Sequence, residues 1–306
     1  MASKNSTIGL LGGGQLGRML CEAAGPLGIE VAILDAEDCP ARKVMDTKSS
    51  LHVAGSFKDA EKIKELAKKV DYLTVEIEHV DALVLAEIDM NGVEVPDEDR
   101  PSHMTKRKVQ VHPAPMSLNT ISDKFKQKEH FKAAKIPVAP QRELAAENLE
   151  AALEAAGNEF GYPFIVKSRN NSYDGRGNIV VDALGSVEVV VKALGREMLY
   201  AEKMIKFSKE LAVMVIRTEE NEASRTYAYP TVETVHEDSI CSTVYMPPRG
   251  ISEKICKQAQ DLACKVAGAL WGRGVFAVEM FVDENGKSIF FLPKSFWQLT
   301  LIVQTG

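Results

Sequence analysis

The chain has 306 residues, 45% hydrophobic and 26% charged, with a formal net charge of −6 and a pI near 5.7. That is globular composition, long enough for two domains, and too acidic for a general nucleic-acid binder, which needs a basic face. No run reaches the roughly 18 apolar residues of a membrane span, so neither nucleic acid nor membrane is an expected partner.

Residues 8–11 read as a short apolar strand, 12–17 as a glycine-rich turn, 18–27 as a helix and 30–35 as a second strand. This β–turn–α–β order opens a doubly wound sheet. An amphipathic helix at 56–70 and a strand at 71–76 extend it, which predicts a parallel sheet. The mixed-charge stretch 97–108 reads as a solvated loop and 112–115 as a linker. A lysine-rich helix follows at 122–134 with Ser122 as N-cap, then an alanine-rich helix at 147–157. Strands are expected at 164–168, 178–182, 199–203, 211–217 and 227–235, a long amphipathic helix at 255–271, a β-run at 274–282 and a hairpin turn at 283–286. An α/β first third gives way to an α+β remainder without internal repeats. The scattered cysteines Cys21, Cys39, Cys241, Cys256 and Cys264 suit free thiols in a reducing compartment. The N-terminus has no apolar leader core, so the expected setting is cytoplasmic.

The residues that carry chemistry begin with Lys167. It sits in an apolar strand, where a lysine needs an anionic partner. A turn containing Tyr173, Asp174, Gly175, Arg176, Gly177 and Asn178 follows, and such backbones can fold N–H groups around phosphate oxygens. Together they have the character of a phosphate grip. Gly12, Gly14 and Gly17 form a GxGxxG pattern, with Asp35 ending the next strand. Three readings stay open there: a nicotinamide dinucleotide, another phosphorylated ligand, or simply a tight turn. Glu76 and Glu78 share one face of a strand end, where open α/β sheets bind ligands. His79 reads as structural. Lys124 and Lys128, spaced i,i+4, read by default as a solvated lysine face. Glu202 and Glu210, on neighbouring strands, are either surface acids or a bracket for an adenosine. His236 ends a further strand. Glu279 interrupts an apolar run, where a carboxylate needs a partner such as Mg2+.

Eight motifs in order, from 12–19 through 76–80, 123–130, 167–177, 200–203, 209–214 and 232–236 to 278–281, resemble the ATP-grasp superfamily. Within it the pattern is similar to 5-(carboxyamino)imidazole ribonucleotide synthase and to the N-terminal part of fungal phosphoribosylaminoimidazole carboxylase. The resemblance implies a Rossmann-like pre-ATP-grasp domain over 1–113, an ATP-grasp lid and small subdomain over 114–200, and a nucleotide and metal subdomain from 201. It implies that Lys124 and Lys167 contact ATP phosphates and that the loop 173–178 closes over them. It also implies that Glu202, Lys203, Met204 and Ile205 line the adenine, that Glu210 holds the ribose, that His236 lies beside the nucleotide and that Glu279 binds Mg2+. Tyr173, Asp174 and Arg176, with Glu76 or Glu78, would touch aminoimidazole ribonucleotide, Asp174 serving as a base for its amine. The implied reaction consumes ATP and bicarbonate through carboxyphosphate, and a homodimer is compatible with it. A non-catalytic nucleotide-binding remnant and a nicotinamide oxidoreductase are the competing readings.

The pattern departs from the family after residue 291. No acid follows Glu284, where the family places its second metal carboxylate. The segment 292–306 is therefore expected to be an atypical tail from a frame change, a mis-spliced exon or a truncated gene, with weak nucleotide binding and little turnover as its consequence.

Overall fold

The computed structural model describes residues 6–45, 49–97, 100–169, 177–183, 187–220, 223–237, 240–284 and, for backbone alone, 289–292. The chain divides into two compact units, one built mainly from residues 1–119 and the other mainly from 120–270 and 275–296.

Unit 1 contains a parallel five-stranded sheet in the order β3-β2-β1-β4-β7. Its strands are β1 (Thr7–Leu11), β2 (Glu30–Asp35), β3 (Val53–Ala54), β4 (Tyr72–Val75) and β7 (Gln110–Val111). Leu10, Leu11, Ile33, Leu34 and Leu73 are fully buried. Continuous apolar runs of this kind mark strands covered on both faces. Helix α1 (Gln15–Ala24) buries Gly17, Cys21 and Ala24. Helix α2 (Ala60–Ala67) starts later than its periodicity suggests, because the Asp59 carboxylate accepts from the Glu61 and Lys62 amides and fixes the N-terminus there.

Three elements of this half differ from the sequence reading. Helix α3 (Ala82–Asn91) buries Val84, Leu85 and Ile88 but exposes Leu83 and Met90, so no single stripe announces it. The expected loop 97–108 contains a strand, β6 (Met104–Arg107), paired antiparallel with β5 (Val93–Pro96). The expected linker at 112–115 ends in the first residue of helix α4 (Pro115–Ser122), since proline suits a first helical turn that has no amide to pair.

Unit 2 holds two sheets. The first, in the order β10-β9-β11-β8, comprises β8 (Gln141–Leu144), β9 (Phe164–Ser168), β10 (Asn178–Val181) and β11 (Leu199–Lys203), antiparallel throughout. Its side chains alternate by chemistry. Leu144, Phe164, Val166, Val181, Leu199 and Ala201 point to one face. There they form a core with Leu149, Leu153 and Ala156 of α6 (Leu149–Phe160) and Val190 of α7 (Val187–Leu194). Register places Glu143, Lys167, Tyr200 and Glu202 on the other. Helix α5 (Lys124–Ala133) starts from Asp123, whose carboxylate accepts from the Phe125 and Lys126 amides, so the N-cap is Asp123 and not Ser122.

The second sheet runs β15-β14-β12-β16-β17, with β13 also on β12. Its strands are β12 (Phe207–Glu220), β13 (Ala223–Ala228), β14 (Val232–Glu237), β15 (Ile240–Tyr245), β16 (Gly274–Asp283) and β17 (Ile289–Leu292). Leu211, Val213 and Val215 of β12, and Phe276, Val278 and Met280 of β16, are fully buried, as are Ala259, Ala263 and Val266 of helix α8 (Glu253–Gly268). The single strand expected at 227–235 is two, separated by a break that contains Pro230, which has no ladder donor. The tail 293–306 lies outside the described residues.

Candidate functional site: a buried charge cluster in unit 2

Helix α5 buries Lys124, Gln127, Lys128 and Phe131. These are i, i+3, i+4 and i+7, the spacing of a core stripe, yet three of the four are polar. The lysine face expected to be solvated is thus turned inward. Lys128 is fully buried and Lys124 is 5% exposed.

The polar face of the first sheet supplies the counter-charge. Lys128 Nζ pairs with Glu202 Oε2, and Lys167 Nζ lies 3.1 Å from the same oxygen. Burial alone would raise the Glu202 carboxyl, but the Lys128 and Lys167 charges outweigh it and hold that group at about 2. Burial pushes the Lys128 ammonium down to about 8, against the pull of Glu202. Two lysines share one carboxylate, so with both protonated the cluster keeps one positive charge. Beside it, burial and the Glu202 and Asp123 charges raise the Tyr200 phenol well above its ordinary range, so it stays a neutral donor. The Tyr200 hydroxyl and both amide atoms of Gln127 are buried without a hydrogen-bond partner among the described residues.

A second network adjoins α5. Asp123 receives Arg169 through Nε at 3.2 Å and Nη2 at 2.7 Å, while the Lys124 amide donates to the Arg169 carbonyl at 3.0 Å. Arg169 also pairs with Glu143 and stacks over Phe125 at 5.0 Å. Its pKa is raised chiefly by the Asp123 bonds. Lys128, Asp123, Arg169 and Glu143 are site residues that the sequence reading did not select. For Lys128 the signal was available in its position three residues from both Phe125 and Phe131.

On the second sheet, Glu210 pairs in register with Thr234, and His236 Nδ1 lies 2.8 Å from Glu210 Oε2. Glu233 is buried and gathers the Lys209 ammonium at 2.7 Å and the Arg249 amide and guanidinium at 2.9 Å. Glu279 is half-buried on β16, on the face opposite Val278 and Met280 by strand alternation. Among the described residues no three His, Cys, Asp or Glu side chains gather as a metal site. Lys203 and Met204 are exposed at the end of β11, and Ile205 is half-buried. Gly177, with φ +82°, closes the β9–β10 hairpin by accepting from the Ser168 amide, next to the exposed Asn178. Tyr173, Asp174, Gly175 and Arg176 lie outside the described residues.

In unit 1 the glycine-rich turn is not an open phosphate cradle. The Gly13 amide donates to Asp35 Oδ2 at 2.6 Å, the Gly14 amide to Glu76 Oε2 at 2.6 Å and the Leu16 amide to Glu76 Oε1 at 3.1 Å. The dinucleotide reading fails on this geometry, because the Gly13 amide already holds the would-be ribose acid Asp35 and the Gly14 and Leu16 amides already hold Glu76. Glu78 is 3% exposed, with His79 Nε2 at 3.9 Å.

Among known proteins, the ATP-grasp domain pattern matches residues 129–291 and the ribonucleotide synthetase preATP-grasp domain pattern matches residues 5–102. The chain is 42% identical to phosphoribosylaminoimidazole carboxylase of Ogataea methanolica, over 92% of this chain and 48% of that protein. It is 44% identical to the Candida albicans protein of the same name, over 92% and 46%. The chain therefore spans about half the length of these curated relatives. A crystal structure of carboxyaminoimidazole ribonucleotide synthase from Aspergillus clavatus complexed with ATP superposes with a TM-score of 0.82 at 43% identity, over 94% of this chain and 69% of that one. The synthase from the same organism in complex with ADP and 5-aminoimidazole ribonucleotide gives 0.81 at 42%, over 94% and 69%.

Proposed function

This chain belongs to the ATP-grasp family, and from that premise we propose that unit 2 holds ATP for the bicarbonate-dependent carboxylation of aminoimidazole ribonucleotide in purine biosynthesis. The observation that carries the proposal is the surplus positive charge of the Lys128–Glu202–Lys167 cluster on the polar face of an otherwise apolar sheet. A polyphosphate is the kind of ligand that such a charge suits, because phosphoryl transfer places charge on oxygens that fixed cations stabilise.

In this reading Lys124 and Lys167 face the phosphates, and Glu202 orients both Lys167 and Lys128. Lys203, Met204 and Ile205 offer a short exposed edge for adenine, Glu210 takes the ribose hydroxyls, and His236 holds Glu210 in place. Tyr173, Asp174, Gly175 and Arg176 are assigned to the phosphates and the second substrate by the family likeness. Of the two acids after β4, Glu78 is proposed as the substrate contact, since both Glu76 oxygens already accept backbone amides. Glu279 is the acid proposed for Mg2+. The reaction transfers the γ-phosphoryl group to a bicarbonate oxygen with release of ADP. The substrate's exocyclic amine then takes the carboxyl carbon, losing a proton as phosphate leaves. The free thiols of all five cysteines support a cytoplasmic setting.

Calorimetric titration with ATP tests the reading. Saturable binding, strengthened by Mg2+ and weakened at least tenfold in Lys167→Ala, is expected, the loss of one charge-assisted contact being worth about 1.5–3 kcal/mol. A folded protein that takes up no ATP, or binds it equally well without Lys167, overturns the proposal.

A further inference from the structure

We propose that Glu76 is the resident anion of the glycine-rich turn: a positioning residue that holds the backbone of 12–16 and keeps phosphorylated ligands out of it. The inference concerns unit 1 alone and does not depend on which nucleotide unit 2 takes.

The turn follows β1 and Glu76 follows β4. Because β1 and β4 are neighbours, the Glu76 amide bonds the Leu11 carbonyl at 2.9 Å, and its side chain lies under the turn. One carboxylate then meets two amides, those of Gly14 and Leu16. Three neighbouring amides are engaged as well. Gly12 bonds the Leu34 carbonyl at 3.1 Å, Gly13 bonds Asp35, and Arg18 bonds the Gly14 carbonyl at 3.0 Å. Helix α1 has no acid in its first turn and no side-chain cap of its own. Glu76 therefore supplies, from another strand, the negative charge that a helix N-terminus favours.

The glycines fit this partner. A Cβ on Gly14 would stand 2.7 Å from Glu76 Oε1, and one on Gly12, where φ is +98°, would stand 2.9 Å from Oε2. In a dinucleotide fold such glycines let the backbone approach a pyrophosphate. Here they let it approach the chain's own carboxylate. An incoming phosphate would find the Gly12, Gly13, Gly14 and Leu16 amides taken and would face two carboxylates, Asp35 and Glu76.

The test uses the intact chain and the variants Glu76→Ala, Glu76→Gln and, as control, Glu94→Ala, which removes an exposed acid of the same unit. Glu76→Ala should melt at least about 5 °C lower than the parent, as expected for two lost charge-assisted bonds. Formate should restore most of that shift, while chloride at equal ionic strength should not, and Glu94→Ala should show no formate response. Should Glu76→Ala fail to fold, amide exchange in Glu76→Gln decides. Gly14 and Leu16 should exchange roughly tenfold faster or more, with the rest of α1 unchanged. Equal responses to formate and chloride in Glu76→Ala, an equal formate response in Glu94→Ala, or unaltered Gly14 and Leu16 protection in Glu76→Gln would each overturn the proposal.

Discussion

Replacing Glu202 with glutamine should destabilise unit 2 by about 3 kcal/mol at pH 7, and two routes lead to that figure. The first is linkage. The Glu202 carboxyl sits at about 2 in the folded chain against 4.5 for the free group, and each unit is about 1.4 kcal/mol, which gives about 3 kcal/mol. The second is Coulombic. Lys167 Nζ is 3.1 Å from Glu202 Oε2, worth about 5 kcal/mol before desolvation at an effective dielectric of 20. Removing one member of a buried pair costs about 3–5 kcal/mol, because the remaining charge is stranded. Because the folded pKa is depressed, the contribution is complete above pH 4.5 and is lost as pH falls towards 2. Urea unfolding of parent and Glu202→Gln, repeated between pH 7 and pH 2, measures the difference directly. The two curves should lie about 3 kcal/mol apart at pH 7 and converge in acid. A gap below about 1 kcal/mol at neutral pH, or one that does not close in acid, would refute the account of the cluster.

Three further outcomes are expected. Since burial sets the Lys128 ammonium at about 8, ATP affinity should be greatest below that pH and weaken as pH rises through it, and calorimetry across pH 7 to 9 would show this, whereas a flat profile would remove Lys128 from the nucleotide's field. Arg249→Ala should lower the midpoint of denaturant melts, by less than its bonds to Glu233 would suggest because half of the Arg249 side chain faces solvent. With Arg249's bonds and Lys209 holding the Glu233 carboxyl at about 2, that loss should shrink as pH falls from 4.5 towards 2. Lys135 follows α5 in the left-handed region at φ 58°, with the Ile136 amide bonded to the Phe131 carbonyl at 2.9 Å. Lys135→Gly should therefore stabilise the unit by about 1 kcal/mol, and a lower melting temperature would count against that geometry.

Strands β1, β2 and β4 of the parallel sheet, with β9 and β16, were legible because each is a mostly apolar run bounded by turn residues, whereas β3 and β7 are two residues each and carry no such run. Lys167 was legible for the same reason, as a lone charge in such a run. Lys128 was passed over despite its spacing from Phe125 and Phe131, because its partner, Glu202, lies on a strand far along the chain and a helical lysine with no visible partner reads as solvated. Glu76 illustrates a different limit. The same three glycines serve a pyrophosphate or a carboxylate equally well, and only the pairing of β1 with β4 shows which one arrives. Helix α7 escaped because Val187, Val189, Val190 and Val191 are β-branched and suit a strand by propensity. Its helical form comes from burial against the β9–β10 hairpin.

The first sheet of unit 2 divides its work between its two sides. The face under α6 and α7 is ordinary hydrocarbon and answers to packing alone, while the face under α5 sets Glu143, Lys167 and Glu202 among Ile165, Val180 and Tyr200 and answers also to charge balance. Substitutions on the two sides should combine almost independently. A protein engineer could rewrite Glu143, Lys167, Arg169 and Glu202 as a set, towards a ligand of different charge, and leave every side chain of the apolar core in place. The same separation gives natural variation room to retune what the site accepts without reopening the question of whether the chain folds.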